Sequence, residues 1–188
     1  MAGHGHVDAS NKKIALLIAV LALFLALAET LAKGAQTTSL SANIEAANLW
    51  SFFQAKTIRQ TVLRTASEQL DDERKRVADA AAREAAQARI EAWGKTIQRW
   101  ESEPDTQEGR KELIARAKAA ESKRDLAGAR YHQYEIASAA FQIGIVLASA
   151  EVITGVIALG WLGGAFGLIG AIFMALGLFA PHAVHLFG

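Results

Sequence analysis

The chain contains no cysteine. Disulfides, thiolate metal sites and cysteine nucleophiles are therefore excluded. Prolines are scarce: Pro104 and Pro181 are the two in 188 residues, so long stretches carry no helix breaker. Residues 35–93 have no glycine either. Neither sign of charge dominates, and a formal net charge of +1 gives no bulk attraction to nucleic acid. Residues 136–180 hold no basic side chain and one acidic one, Glu151.

The charge that is present is segregated. Of 39 charged residues, 34 lie between Lys33 and Glu135. Such a division separates a water-facing part from a lipid-facing part. Ile14 to Ala28 is an unbroken apolar run. Extended over 14–32, it would span roughly 28 Å as a helix, close to the hydrocarbon thickness of a bilayer. Lys12 and Lys13 mark one end of this run and Lys33 the other. A secretory signal is the competing reading, since Ala26-Leu27-Ala28 resembles a cleavage site. Further apolar segments downstream favour a retained anchor. Residues 136–180 are too long for one crossing and suit two, over 136–159 and 162–180. The expected turn is Gly160-Trp161-Leu162-Gly163-Gly164, followed after the last span by Pro181.

The pattern therefore predicts an all-α integral membrane protein. Short tails at 1–13 and 181–188 flank three transmembrane helices and a charged helical hairpin over 33–135. Residues 102–107 are its one clear breaker cluster. Thr106 could cap the helix that resumes near Glu108. The two arms of this hairpin differ greatly in length, so the outgoing arm must bend, and Glu68–Arg76 is the expected place. Leu40, Ile44, Ala47, Trp50, Ile58 and Val62 form one apolar face at helical spacing. Leu49, Phe52, Phe53 and Leu63 form another on roughly the opposite side. A helix apolar on two sides is usually held between partners or lies partly in lipid. Ile90, Trp93, Ile97 and Trp100 follow a 3-4-3 spacing, a short coiled-coil seam. Trp50, Phe52, Phe53, Trp93, Ile97 and Trp100 are the expected interaction face.

Two segments resemble a family of short bacterial membrane proteins known only as a domain of unknown function. One is KKIALLIAVLALFLALAET; the other, more specific, is SLSANIEAANLWSFFQAKTIRQT, residues 39–61. The resemblance extends loosely through the charged middle and the paired C-terminal apolar segments. It implies a bacterial inner-membrane location and a three-span layout. It implies no activity and no site residues.

Candidate chemistry is sparse. Glu29 and Glu151 are the acidic residues inside the proposed spans, where a carboxylate is costly and often functional. Glu29 lies near a span end and can reach the interface. Glu151 is expected near the centre of its span, either bonded to Ser149, Thr154 or Gln142 or handling protons or ions. Gly160, Gly163, Gly164, Gly167, Gly170, Ala171 and Ala175 include repeats at four-residue spacing, which lets helices approach closely in lipid. That close approach could serve self-association or packing on the second span. His4 and His6, and His182 and His185, lack further ligands at metal spacing. His132, flanked by Tyr131 and Tyr134, suits an interface. Basic residues of the middle alternate with acids, as on a solvated helix. No phosphate loop, triad order or paired-carboxylate motif is present.

The expected function is a non-enzymatic membrane scaffold or accessory protein. Its expected partners are the lipid bilayer, itself as a homo-oligomer or another membrane complex, with no nucleic acid, metal or cofactor. The alternative is a small proton-conducting or channel assembly built on Glu151. Basic residues near the span ends number five on the side of the middle segment and two on the other. That balance favours a cytoplasmic middle segment with the N-terminus outside.

Overall fold

A computed structural model describes residues 9–183 of the chain. Among the described residues the regular structure is entirely helical: α1 (Ala9–Arg76), α2 (Ala80–Glu101), α3 (Arg110–Thr154) and α4 (Ile157–Phe179). Helices α1, α3 and α4 are long and apolar enough to cross a membrane. The chain divides into two compact units. One comprises residues up to Leu40 and from Lys123 onward; the other comprises Ser41–Ser122.

In the first unit, buried positions recur at intervals of seven. They are Ile14, Leu21 and Ala28 on α1, Tyr134, Phe141 and Ala148 on α3, and Gly163, Gly170 and Gly177 on α4. Seven residues are close to two helical turns, so each helix keeps one seam inward. Leu21, Ala28, Ala137 and Phe141 form the core, with Phe24, Leu25, Phe173 and Met174 packed around it. Phe24 stacks on Phe141 with centroids 5.8 Å apart. The outer surface is apolar too: Leu16, Leu23, Ile153, Trp161, Leu168, Ile172 and Phe179 are all exposed.

The reversal between α3 and α4 is shorter and earlier than the sequence pattern suggested. It falls at Gly155-Val156, not within 160–164. Gly155 adopts φ 73°, a left-handed conformation that glycine takes without a Cβ clash, and its N–H bonds the Glu151 carbonyl at 2.8 Å. Gly160, Gly163 and Gly164 lie inside α4. The expected spans 136–159 and 162–180 therefore share a different boundary, and α4 begins five residues earlier than expected.

In the second unit α1 runs on without interruption to Arg76. Asp71 pairs with Arg74 and Lys75 in its last turns. The bend falls at 77–79, just beyond the expected Glu68–Arg76 stretch. Asp79 caps α2 by accepting from the Ala81 N–H at 3.2 Å. Helix α2 then doubles back along α1, so that Gln60 donates to the Ile97 carbonyl at 3.2 Å. The core joins α1 to α3 through Ala46, Leu49, Leu113, Ala117 and Ala120, with Trp50, Phe52 and Phe53 packed against it. Helix α2 buries none of its residues. The chain leaves helix between Glu101 and Arg110. Thr106 bonds back to the Glu103 carbonyl at 3.5 Å and does not cap α3.

Candidate functional site

Within the first unit, the small residues of α4 mostly face their own chain. A Cβ at Gly163 would lie 2.8 Å from the Gly144 carbonyl oxygen, and one at Gly170 would lie 2.8 Å from the Phe141 ring. At Gly177 it would meet the Tyr134 ring at 2.4 Å, and at Gly167 the Leu21 side chain at 2.5 Å. Ala171 packs against the core. Gly164 has nothing within 4 Å of a Cβ position, and Ala175 is exposed. The dominant spacing is thus seven, set by α3 bringing Tyr134, Phe141 and Ala148 to the seam, and not the four-residue spacing that stands out in the sequence.

Glu151 is not at a span centre. It occupies the last turn of α3, one turn before Gly155. Its side chain is only 7% exposed and its carboxylate rests on Gly160, where a Cβ would be 1.5 Å from an Oε atom. Two of the three expected partners are engaged elsewhere. Thr154 donates to the Ala150 carbonyl at 2.8 Å, and Gln142 donates to Glu29 at 3.4 Å. Among the described residues no donor or cation pairs with the Glu151 carboxylate. An open pocket of about 300 Å³ adjoins it, lined also by Lys13, Ile14, Leu17, Ile157, Gly160 and Trp161. Glu29, by contrast, is exposed on α1.

In the second unit the expected interaction face divides. Trp50 donates to Glu121 at 2.9 Å and meets Phe53 edge-on, with centroids 5.6 Å apart. Phe52 and Phe53 pack on the α1–α3 core. Lys56 lies over Phe52 and Arg110 over Phe53. Trp93 is half-buried under Arg89, Ile97 is held through its carbonyl by Gln60, and Trp100 is half-buried. Trp50, Phe52 and Phe53 are therefore occupied within this unit. What stays open is the opposite side of α1: Ile44, Ile58 and Val62 are 62–63% exposed, with Ala47 and Ser51 exposed between them.

A polar clasp that no local motif marks ends this unit. Arg110 donates to Thr57 at 3.0 Å, to Gln60 at 2.8 Å and to Glu101 at 2.7 Å. The Gln60 amide and the Arg110 guanidinium beside Glu101 hold its carboxyl below the usual carboxylate range. Lys56 is buried and donates to the Glu108 carbonyl. Glu112 accepts from the Ser102 hydroxyl at 2.7 Å and the Glu103 N–H at 3.1 Å, which lower its carboxyl likewise. Gly109 leaves room for that carboxylate, which a Cβ there would meet at 2.1 Å. The one available signal was interval: Lys56 falls seven residues after Leu49, and Gln60 fourteen after Ala46, at positions where apolar residues would be expected.

Among the described residues no three histidine or acidic side chains come together as a metal site. His4, His6 and His185 lie outside the described residues. His132 is half-buried and His182 exposed.

The family described as Domain of unknown function (DUF4337) matches residues 10–180. No curated protein and no solved structure matches the chain.

Proposed function

The chain belongs to this family of unknown function, and we propose that it is a non-enzymatic scaffold or accessory protein of a bacterial inner membrane. In this reading α1, α3 and α4 each cross the bilayer and the second unit stands in water on the cytoplasmic side. The apolar exterior of the first unit supports the embedding, because a surface of exposed Leu16, Leu23, Ile153, Leu168 and Phe179 would aggregate in water.

The observation that carries the scaffold reading is the open apolar stripe of Ile44, Ala47, Ile58 and Val62 on the second unit. Its occupant is a second copy of the chain. Two copies anchored in one membrane present α1 in parallel, so each residue meets its own counterpart. Like charges would then coincide and repel. Ala47 and Ser51, at the middle of the stripe, lie within residues 46–55, which carry no charge and so suit that arrangement. Light scattering in mild detergent tests it. A dimer mass is expected for the native chain, and a monomer mass for Ile58→Glu with helicity unchanged. A native monomer would remove self-association.

The alternative of a proton-conducting assembly draws on the unpartnered Glu151 carboxylate. Its inward placement against Gly160 favours the scaffold reading, because a shared pore would need that group turned toward neighbouring copies. Proton flux in liposomes that Glu151→Gln abolishes would reverse this preference.

A further inference from the structure

Three helix ends meet around the pocket beside Glu151: the start of α1 at Lys13, the end of α3 and the start of α4 at Ile157. Each brings a different charge. The C-terminal turn of α3 carries partial negative charge and holds Glu151. The N-terminus of α4 carries partial positive charge, and no side chain caps it. Lys13 lines the same pocket, yet among the described residues no ion pair joins it to Glu151. The pocket therefore sets the Glu151 carboxyl and the Lys13 side chain along one cavity with no ion pair between them. Glu151 is more than nine-tenths buried, and among the described residues its carboxyl has no donor, so it can accept from a ligand seated in the pocket.

We propose that this pocket binds the headgroup of a zwitterionic phospholipid bearing a primary ammonium. The ammonium donates to Glu151, while the phosphate meets Lys13 and the uncapped start of α4. A primary ammonium fits where a quaternary one does not, because only the former has N–H groups to give the carboxylate. The lipid, and not a free phosphoamine, is the source. Trp161 is 79% exposed at the rim and exposed Ile157 lines the same pocket, a surface that suits acyl chains at the interface. A Cβ at residue 160 would push the Glu151 carboxylate out of its present place. This inference rests on the membrane-spanning reading.

The full chain is first floated with liposomes, then released from mixed micelles holding equal phosphatidylethanolamine, phosphatidylcholine and phosphatidylglycerol with identical acyl chains. Retained lipid is read by native mass spectrometry. Phosphatidylethanolamine is expected to be retained about tenfold over the other two. Glu151→Gln and Gly160→Ala should each erase its advantage over phosphatidylcholine, and Glu29→Gln should keep it. Best retention of phosphatidylglycerol, equal retention of all three, or a preference that survives Glu151→Gln would each overturn the proposal. So would displacement of the lipid by millimolar glycerophosphoethanolamine. A chain that fails to float removes the membrane reading and the proposal together, whereas one that floats without preference removes the proposal alone.

Discussion

On α4, in the first unit, the buried seam is Gly163, Gly170 and Gly177; on α1, in the second, it includes Lys56 and Gln60. Both units use the seven-residue interval, but they fill it with opposite chemistry. Around α4 the exterior is as apolar as the interior, so in the proposed membrane setting burial gives little hydrophobic gain and close backbone approach does the holding. Glycine provides it, letting the Gly144 carbonyl and the Phe141 ring reach the helix axis. In the second unit the exterior is charged outside the stripe of Ile44, Ile58 and Val62, and burial of Leu49, Leu113 and Ala117 supplies the drive. A polar group can be taken inside there once it is bonded, as Lys56 is to the Glu108 carbonyl and Gln60 to Arg110.

The largest effect should come from breaking the apolar join of the second unit. Leu113 is fully buried between α1 and α3. Leu113→Ala should cost about 2–5 kcal/mol. Hydrogen exchange should show the loss in residues 41–122 and leave the α4 seam protected.

Overfilling the glycine seam comes next. Gly170→Val must move the Phe141 ring and should cost about 1–3 kcal/mol. Gly164→Val, six residues away and in open space, should change stability by no more than about 0.5 kcal/mol. Thermal unfolding in detergent compares the two. Equal effects would mean that the seam is not what glycine serves.

A smaller effect is electrostatic and belongs to the clasp. Glu101 and Glu112 have folded-state pKa values below their ordinary 4.5. In the unfolded chain they therefore take up protons first as pH falls. Their contribution is fully present above 4.5 and is lost as pH drops through the lowered folded values. The unfolding temperature of the second unit should hold steady down to that point and then decline. Glu112→Gln should make the decline shallower.

The apolar runs, the charged middle and the breaker cluster near Pro104 could be read from composition and local order, because each is a property of neighbouring residues. The turn was misplaced because five nearby glycines compete as breakers, and only Gly155 takes the left-handed conformation. Two apolar faces on α1 were visible, but not which one α3 would cover. The Arg110 clasp was invisible for the same reason: Thr57 and Arg110 are 53 residues apart and share no motif. Glu151 was legible as unusual, yet its depth and its pocket depend on where α3 ends.

Disulfide cross-linking in native membranes tests the scaffold account most directly, since the chain has no cysteine of its own. A parallel pair of α1 helices brings residue 58 of two copies together, so Ile58→Cys should give a covalent dimer on mild oxidation. Thr106→Cys, on the exposed loop between α2 and α3, should not. Monomer from Ile58→Cys, or equal dimer from both variants, would contradict the account.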